Sequence, residues 1–292
     1  MDGLPFDFAT LKRDDLKGIG TGISSIVIHI KGTNVVVKTF PPLDKDQDSE
    51  RKIYEHLQNR GQGHPNILKY FGRSPPECEL LRSGLLLEYH PRGTLSACFG
   101  KLDTICVPET ERRCWPYQAV SAVDYIHSRG VVHGDIGLHN FLVHDDGRLI
   151  LCDFAGSGME GILPTISAGV RYSNPQRNGN PYSTAEDDIF ALGTVLYELD
   201  RGERLFDGQS SRDIYRHLRD REFPDLSMVA LPLRCIIKEC WELPGYKARD
   251  ALAELEIQSL SSTKLPLPGL RLALTTALIF TFAVTWVTFE ML

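Results

Sequence analysis

Between residues 133 and 155 the chain reads His133-Gly134-Asp135-Ile136-Gly137-Leu138-His139-Asn140, Phe141-Leu142-Val143, Asp145-Asp146-Gly147, Leu149-Ile150-Leu151 and Cys152-Asp153-Phe154-Ala155. The two short apolar runs around an Asp-Asp-Gly turn read as a hairpin. Asp135, Asn140 and Asp153 fall on loops beside those strands, so a fold for this chain must carry two carboxylates and an amide next to short buried segments. An isolated Asp or Asn in a loop is ordinarily a solvated turn residue. The flanking sequence has to decide.

Upstream, residues 18–40 read as two strands around a turn: Ile26, Ile28 and Ile30 alternate, Lys31-Gly32-Thr33-Asn34 supplies turn chemistry, and Val35-Val36-Val37 runs into Lys38. Residues 44–58 open acidic and carry Ile53, Tyr54 and Leu57, which predicts an amphipathic helix. A short apolar strand follows at 84–89, and from Pro108 onward the periodicity turns helical, most clearly at 119–127, 186–199 and 211–219. The fold class is therefore α+β. A small strand-rich lobe with one main helix (1–88) precedes a larger, mainly helical lobe (89–260), and a linker with an apolar tail ends the chain (261–292).

With 292 residues, 42% hydrophobic and 24% charged, the chain has the composition of a folded globular protein. Its net charge of −6 argues against a nucleic-acid partner, whose phosphates demand clustered Lys and Arg. The seven cysteines form no C-x-x-C pair and read as reduced thiols. The opening residues lack a basic stretch followed by an apolar one, so the folded part is expected to face the cytosol.

Moving a γ-phosphoryl group requires a base to orient a hydroxyl, ligands for Mg²⁺ and a cation on the nucleotide phosphates. The order of motifs resembles the eukaryotic-type protein kinases, of which this would be a divergent member, and the resemblance spans residues 18 to about 258. It implies a bilobal kinase-like fold, ATP and Mg²⁺ as cofactors, and a protein substrate. Asp135 then matches the base, and Asn140 and Asp153 the metal ligands. Lys38 matches the residue on the α and β phosphates, and Glu50, twelve residues on, its ion-pair partner. Gly20, Gly22, Ser25 and Val27 resemble the phosphate-covering loop, with Ser in place of its third Gly. Leu87, Glu88 and Tyr89 look like the hinge whose backbone meets adenine, and Val27, Val36 and Leu142 would enclose the ring. Tyr54, Tyr70, His133 and Phe154 fall where the family stacks a ladder linking the lobes, and Asp188 where a buried helix anchors the catalytic loop. Two rival readings stand beside this one. A pseudokinase would keep the fold as a nucleotide-binding or scaffolding module, and a small-molecule phosphotransferase would share the Gly after His133.

The departures from the family pattern are specific. Gly134 replaces the Arg that normally holds a phosphorylated activation loop, which predicts activity independent of that switch. Gly137 and Gly169 sit where Ser/Thr kinases keep a Lys and a Thr, while His139 falls where tyrosine kinases place Arg. Tyr172, rather than Trp, favours Ser/Thr as acceptor. Ala155 replaces the Gly after Asp-Phe, and Gln176 replaces a Glu whose ion-pair partner would align with Lys247 or Arg249.

Residues 272–289 are 18 positions without a charge, a helix of about 27 Å at the usual rise per residue. Five threonines dilute its hydrophobicity, and Trp286 suits an interface. This tail is a candidate membrane anchor that would leave the kinase portion facing the cytosol, with an amphipathic or docked helix as the alternative.

Overall fold

A computed structural model describes residues 6–22, 25–40, 45–58, 63–81, 83–99, 108–177 and 179–262. The apolar run 272–289 lies outside the described residues, among which no helix is long and apolar enough to cross a membrane. Residues 1–254 form one compact unit, and 255–292 a second of which only the end of a helix is described.

Five strands, β1 (Leu16–Thr21), β2 (Ile26–Ile30), β3 (Val35–Thr39), β4 (Tyr70–Arg73) and β5 (Leu85–Glu88), form an antiparallel sheet in the order β1-β2-β3-β5-β4. The two-strand reading of 18–40 is corrected to three strands. Gly18 and Gly20 weaken the alternation of β1, whose pairing with β2 shifts register between them. β3 is buried along its whole length because both faces are covered. On the outer face, Ile30, Val35, Val37, Leu81 and Leu86 form a core against which Phe6, Phe8 and Leu11 pack. The other face is set by register, since Val27 lies opposite Lys38 and Val36 opposite Leu87. Helix α1 (Lys45–Leu57) follows β3 and buries Glu50, Ile53, Tyr54 and Leu57.

The helical region holds α2 (Leu95–Cys98), α3 (Glu109–Arg112), α4 (Trp115–Ser128), α5 (Ala185–Arg201), α6 (Ser211–Arg219), α7 (Leu233–Glu242) and α8 (Ala248–Ser262). The expected hairpin is β6 (Phe141–Val143) with β7 (Leu149–Leu151). Helix α5 is the centre of this lobe: every residue from Asp187 to Glu198 is buried. Its start is fixed by a reciprocal cap in which the Thr184 and Asp187 side chains each accept from the other's backbone N–H. Its end is fixed by Gly202 at φ +68°. Helices α5 and α7 meet at Gly193, where a Cβ would lie 2.7 Å from Cys240 Cβ, so only glycine permits this approach.

Candidate active site

Lys38 ends the apolar run of β3 and is 5% exposed, and Glu50 on α1 is fully buried. The Lys38 ammonium lies 2.8 Å from Glu50 Oε2 and 2.6 Å from Asp153 Oδ1, bridging two carboxylates that are far apart in sequence. Burial works against this ammonium, but Glu50 and Asp153 outweigh it and hold its pKa above the ordinary value. Desolvation would likewise raise the Asp153 carboxyl, and Lys38 more than offsets it, keeping the pKa below the usual range. Asp153 adopts the left-handed region at φ +64°, a conformation L-residues visit at a cost and hold only where surrounding contacts impose it.

The catalytic loop is pinned from below. Asp188, 1% exposed at the start of α5, accepts from His133 N–H at 2.7 Å and Gly134 N–H at 2.8 Å. His133 is fully buried, and its Nε2 donates to the Cys152 carbonyl at 3.0 Å, which ties the loop to the residue before Asp153. The Asn140 carbonyl accepts from Cys152 N–H at 2.9 Å. Asn140 Nδ2 in turn donates to the Asp135 carbonyl at 2.8 Å and to Asp135 Oδ2 at 3.2 Å. A continuous set of bonds therefore joins Glu50, Lys38, Asp153, Cys152, Asn140 and Asp135. The aromatic ladder is also formed: ring centroids lie 5.7 Å apart for Tyr70–Tyr54, 5.1 Å for Tyr54–Phe154 and 5.1 Å for Phe154–His133.

Register places Gly20, Val27, Val36, Lys38 and Leu87 on one side of the sheet, and Leu142 on β6 is half-buried. Gly22 N–H donates to Ser25 O at 2.8 Å, closing the glycine-rich turn, whose tip residues 23 and 24 lie outside the described residues. At the hinge, the Glu88 amide is already donated to Lys69 O and the Tyr89 amide to Asn34 O. The next amide is that of His90, a residue the sequence reading did not single out, which donates to no backbone carbonyl among the described residues.

Two of the departures acquire a structural meaning. Gly134 has φ +81°, and a Cβ there would lie 3.2 Å from Ile166 Cγ2 and 3.3 Å from Ile166 O. Ile166 itself is fastened by its N–H to Gly156 O (3.3 Å) and by its carbonyl to Ser183 Oγ (2.7 Å), while Val132 and Gly158 exchange backbone bonds of 2.8 and 2.9 Å. The segment after Asp153 is thus packed onto the catalytic loop, tight against position 134. Gln176, Lys247 and Arg249 are all exposed, and Gln176 lines a cavity of about 220 Å³ with Glu186, Phe190 and Trp241.

A protein kinase domain family model matches residues 13–249. The chain belongs to the protein kinase domain family. Among curated kinases it is 27% identical over 216 residues to human NUAK family SNF1-like kinase 1, covering 71% of this chain and 32% of that protein. It is 32% identical over 213 residues to CBL-interacting protein kinase 25 of Oryza sativa subsp. japonica, covering 63% and 40%. It is 30% identical over 207 residues to CBL-interacting serine/threonine-protein kinase 3 of Arabidopsis thaliana, covering 65% and 46%. The chain thus spans between 32% and 46% of the length of these relatives.

Kinase domains use ATP and Mg²⁺, and the donor set here fits both. Asn140 spends its side-chain NH₂ group on Asp135, which leaves Oδ1 for a ligand, and Asp153 spends Oδ1 on Lys38, which leaves Oδ2. An amide oxygen and a carboxylate oxygen are the hard donors that Mg²⁺ selects. Among the described residues no group of three His, Cys, Asp or Glu side chains is placed to hold a metal by itself. A metal on these two residues would draw its remaining ligands from phosphate and water, as Mg²⁺ usually does.

Proposed function

We propose that this chain transfers the γ-phosphoryl group of ATP to a Ser or Thr hydroxyl of a protein substrate. The observation that carries the reading is the Lys38 ammonium held between Glu50 at 2.8 Å and Asp153 at 2.6 Å, a buried cation aimed by two carboxylates at the junction of the lobes. Lys38 would meet the α and β phosphates, and Glu50 would keep it extended. Asp135 would orient the acceptor hydroxyl, and Asn140 and Asp153 would hold Mg²⁺. Mg²⁺, when bound there, supplies neutralisation of the phosphate charge. Val27, Val36, Leu87 and Leu142 would enclose adenine, with backbone groups of Glu88, Tyr89 and His90 along its edge and Gly20, Gly22 and Ser25 over the phosphates.

The choice of Ser or Thr rests on the Arabidopsis relative, named as a serine/threonine kinase, and on Tyr172. Activity without a phosphorylated loop is part of the same proposal. Ile166 and Gly134 would hold the segment by packing, where the family ordinarily uses an arginine and a phosphate.

The test is transfer of labelled phosphate from ATP to a Ser/Thr peptide panel by the full chain, with Asp135→Asn and Asp153→Asn as controls. Both variants should lose about 100-fold or more. Phosphatase treatment should change the rate less than about two-fold, since position 134 carries no arginine to pair with a phosphate. Equal signal in wild type and both controls defeats the reading, and ATP binding without transfer leaves a nucleotide-binding scaffold in its place.

A further inference from the structure

His139 lies four residues beyond Asp135, and its Nε2 is 3.0 Å from Asp135 Oδ2. A carboxylate oxygen only accepts, so the ring donates. An exposed pair of this kind is ordinarily worth little, and His139 is 41% exposed. Three further observations set this pair apart. A Cβ at position 137 would lie 2.6 Å from His139 Cε1 and 2.8 Å from its Nδ1, closer than real contacts allow. The ring therefore stands directly over Gly137, and any side chain there would displace it. Gly137 has φ 179° and ψ 166°, extended backbone that any residue adopts, so close approach rather than backbone geometry demands the glycine. Tyr172 crowds the same point, its Cε2 3.1 Å from the absent Cβ and its ring centroid 6.0 Å from that of His139. Tyr172 is itself locked, donating to Glu198 at 2.7 Å and accepting from Arg204 at 2.9 Å.

The ring thus lies over a bare backbone beside a fixed phenol, with its N–H aimed at one oxygen of Asp135. Asn140 donates to the same oxygen at 3.2 Å, whereas Oδ1 accepts no hydrogen bond among the described residues. The carboxylate is held by one edge and offers the other.

We infer that His139 is a positioning residue for phosphoryl transfer: seated in the space left by Gly137, it fixes the Asp135 carboxylate so that Oδ1 receives the acceptor hydroxyl. The inference rests on the kinase reading above. It assigns a shared purpose to two departures from the family pattern, since the side chain removed at 137 makes room for the ring supplied at 139.

The experiment is steady-state transfer from ATP to the Ser/Thr peptide panel by the full chain and four variants. His139→Ala should lower kcat about 10- to 100-fold, the scale of a misplaced catalytic group, with KM for ATP within about two-fold. His139→Gln carries an N–H the same number of bonds from the backbone and should recover most of kcat. Gly137→Ala, which leaves the histidine present but displaces its ring, should lose as much as His139→Ala. The double variant should lose no more than either alone, because both act on one contact. KM for ATP and the thermal midpoint report that each variant is folded. If His139→Ala keeps kcat within about two-fold of wild type, or if Gly137→Ala costs as much in the His139→Ala background as alone, the inference is overturned while the kinase reading stands. A wild-type chain that transfers no phosphate overturns both.

Discussion

Ile166 crowds position 134, its Cγ2 3.2 Å from where a Gly134 Cβ would be. The left-handed φ of +81° adds backbone strain for every other residue. Gly134→Ala should therefore lose roughly 1–3 kcal/mol in urea denaturation. Gly134→Arg should expel Ile166 and expose residues 156–170 to limited proteolysis, without creating control by phosphorylation. An arginine variant that is stable and protease-resistant would contradict the packing account.

Lys38→Met removes the cation from a fully buried carboxylate. Leaving Glu50 unpaired should cost about 3–5 kcal/mol, in addition to abolishing transfer. Adding Glu50→Leu should restore most of the stability and none of the activity. Chemical denaturation of the single and double variants, beside the transfer assay, separates the two effects.

His90 gives the fold a dependence on acid. Its side chain is 1% exposed, and burial, helped by His144 at 5.3 Å between rings, pushes its pKa down to about 4 although Glu88 stands 3.6 Å away. Asp145 and Asp146 pull the other way, and Arg148 adds to the depression. In the unfolded chain the imidazole titrates near ~6.5, so between that value and about 4 only the unfolded state takes the proton. Stability contributed by the neutral ring is complete above ~6.5 and is lost on acidification at up to about 1.4 kcal/mol per pH unit. Urea midpoints at pH 7.5 and 5.0 should diverge in wild type and diverge less in His90→Gln.

Cysteine reactivity should divide by burial. Burial pushes the Cys152 and Cys240 thiols up, while Cys114 and Cys235 are exposed. Peptide mapping after brief alkylation should find label at 114 and 235, and none at 152 or 240 until denaturant is added. Rapid labelling of Cys152 would mean that the segment around Asp153 opens readily.

Much of the site was legible because charged and amide groups at fixed order and spacing carry their own signal: Lys38, Glu50, Asp135, Asn140 and Asp153 fall into one bonded set. Helix α6 was legible to the residue, since its apolar positions Ile214 and Leu218 recur at the helical period. Strands β1 and β4 were not. Each is interrupted by glycine and a register shift, at Gly18/Gly20 and at Gly72 with φ +118°, which erase the two-residue alternation. Helix α4 begins at Trp115, earlier than periodicity indicated, because Pro116 sits in its first turn where no N–H is needed. The role of Ile166 was illegible for another reason. Its partner is a glycine 32 residues away, and an isoleucine in a loop says nothing about the hole it fills.

Phe6, Phe8 and Leu11 cover the outside of the β-sheet, over Ile30, Val35 and Val37. Any shortened version of this chain that begins at the first strand would uncover a greasy patch on the small lobe. Loss of solubility in such a version would speak of that patch, and reveal nothing of the chemistry in the cleft.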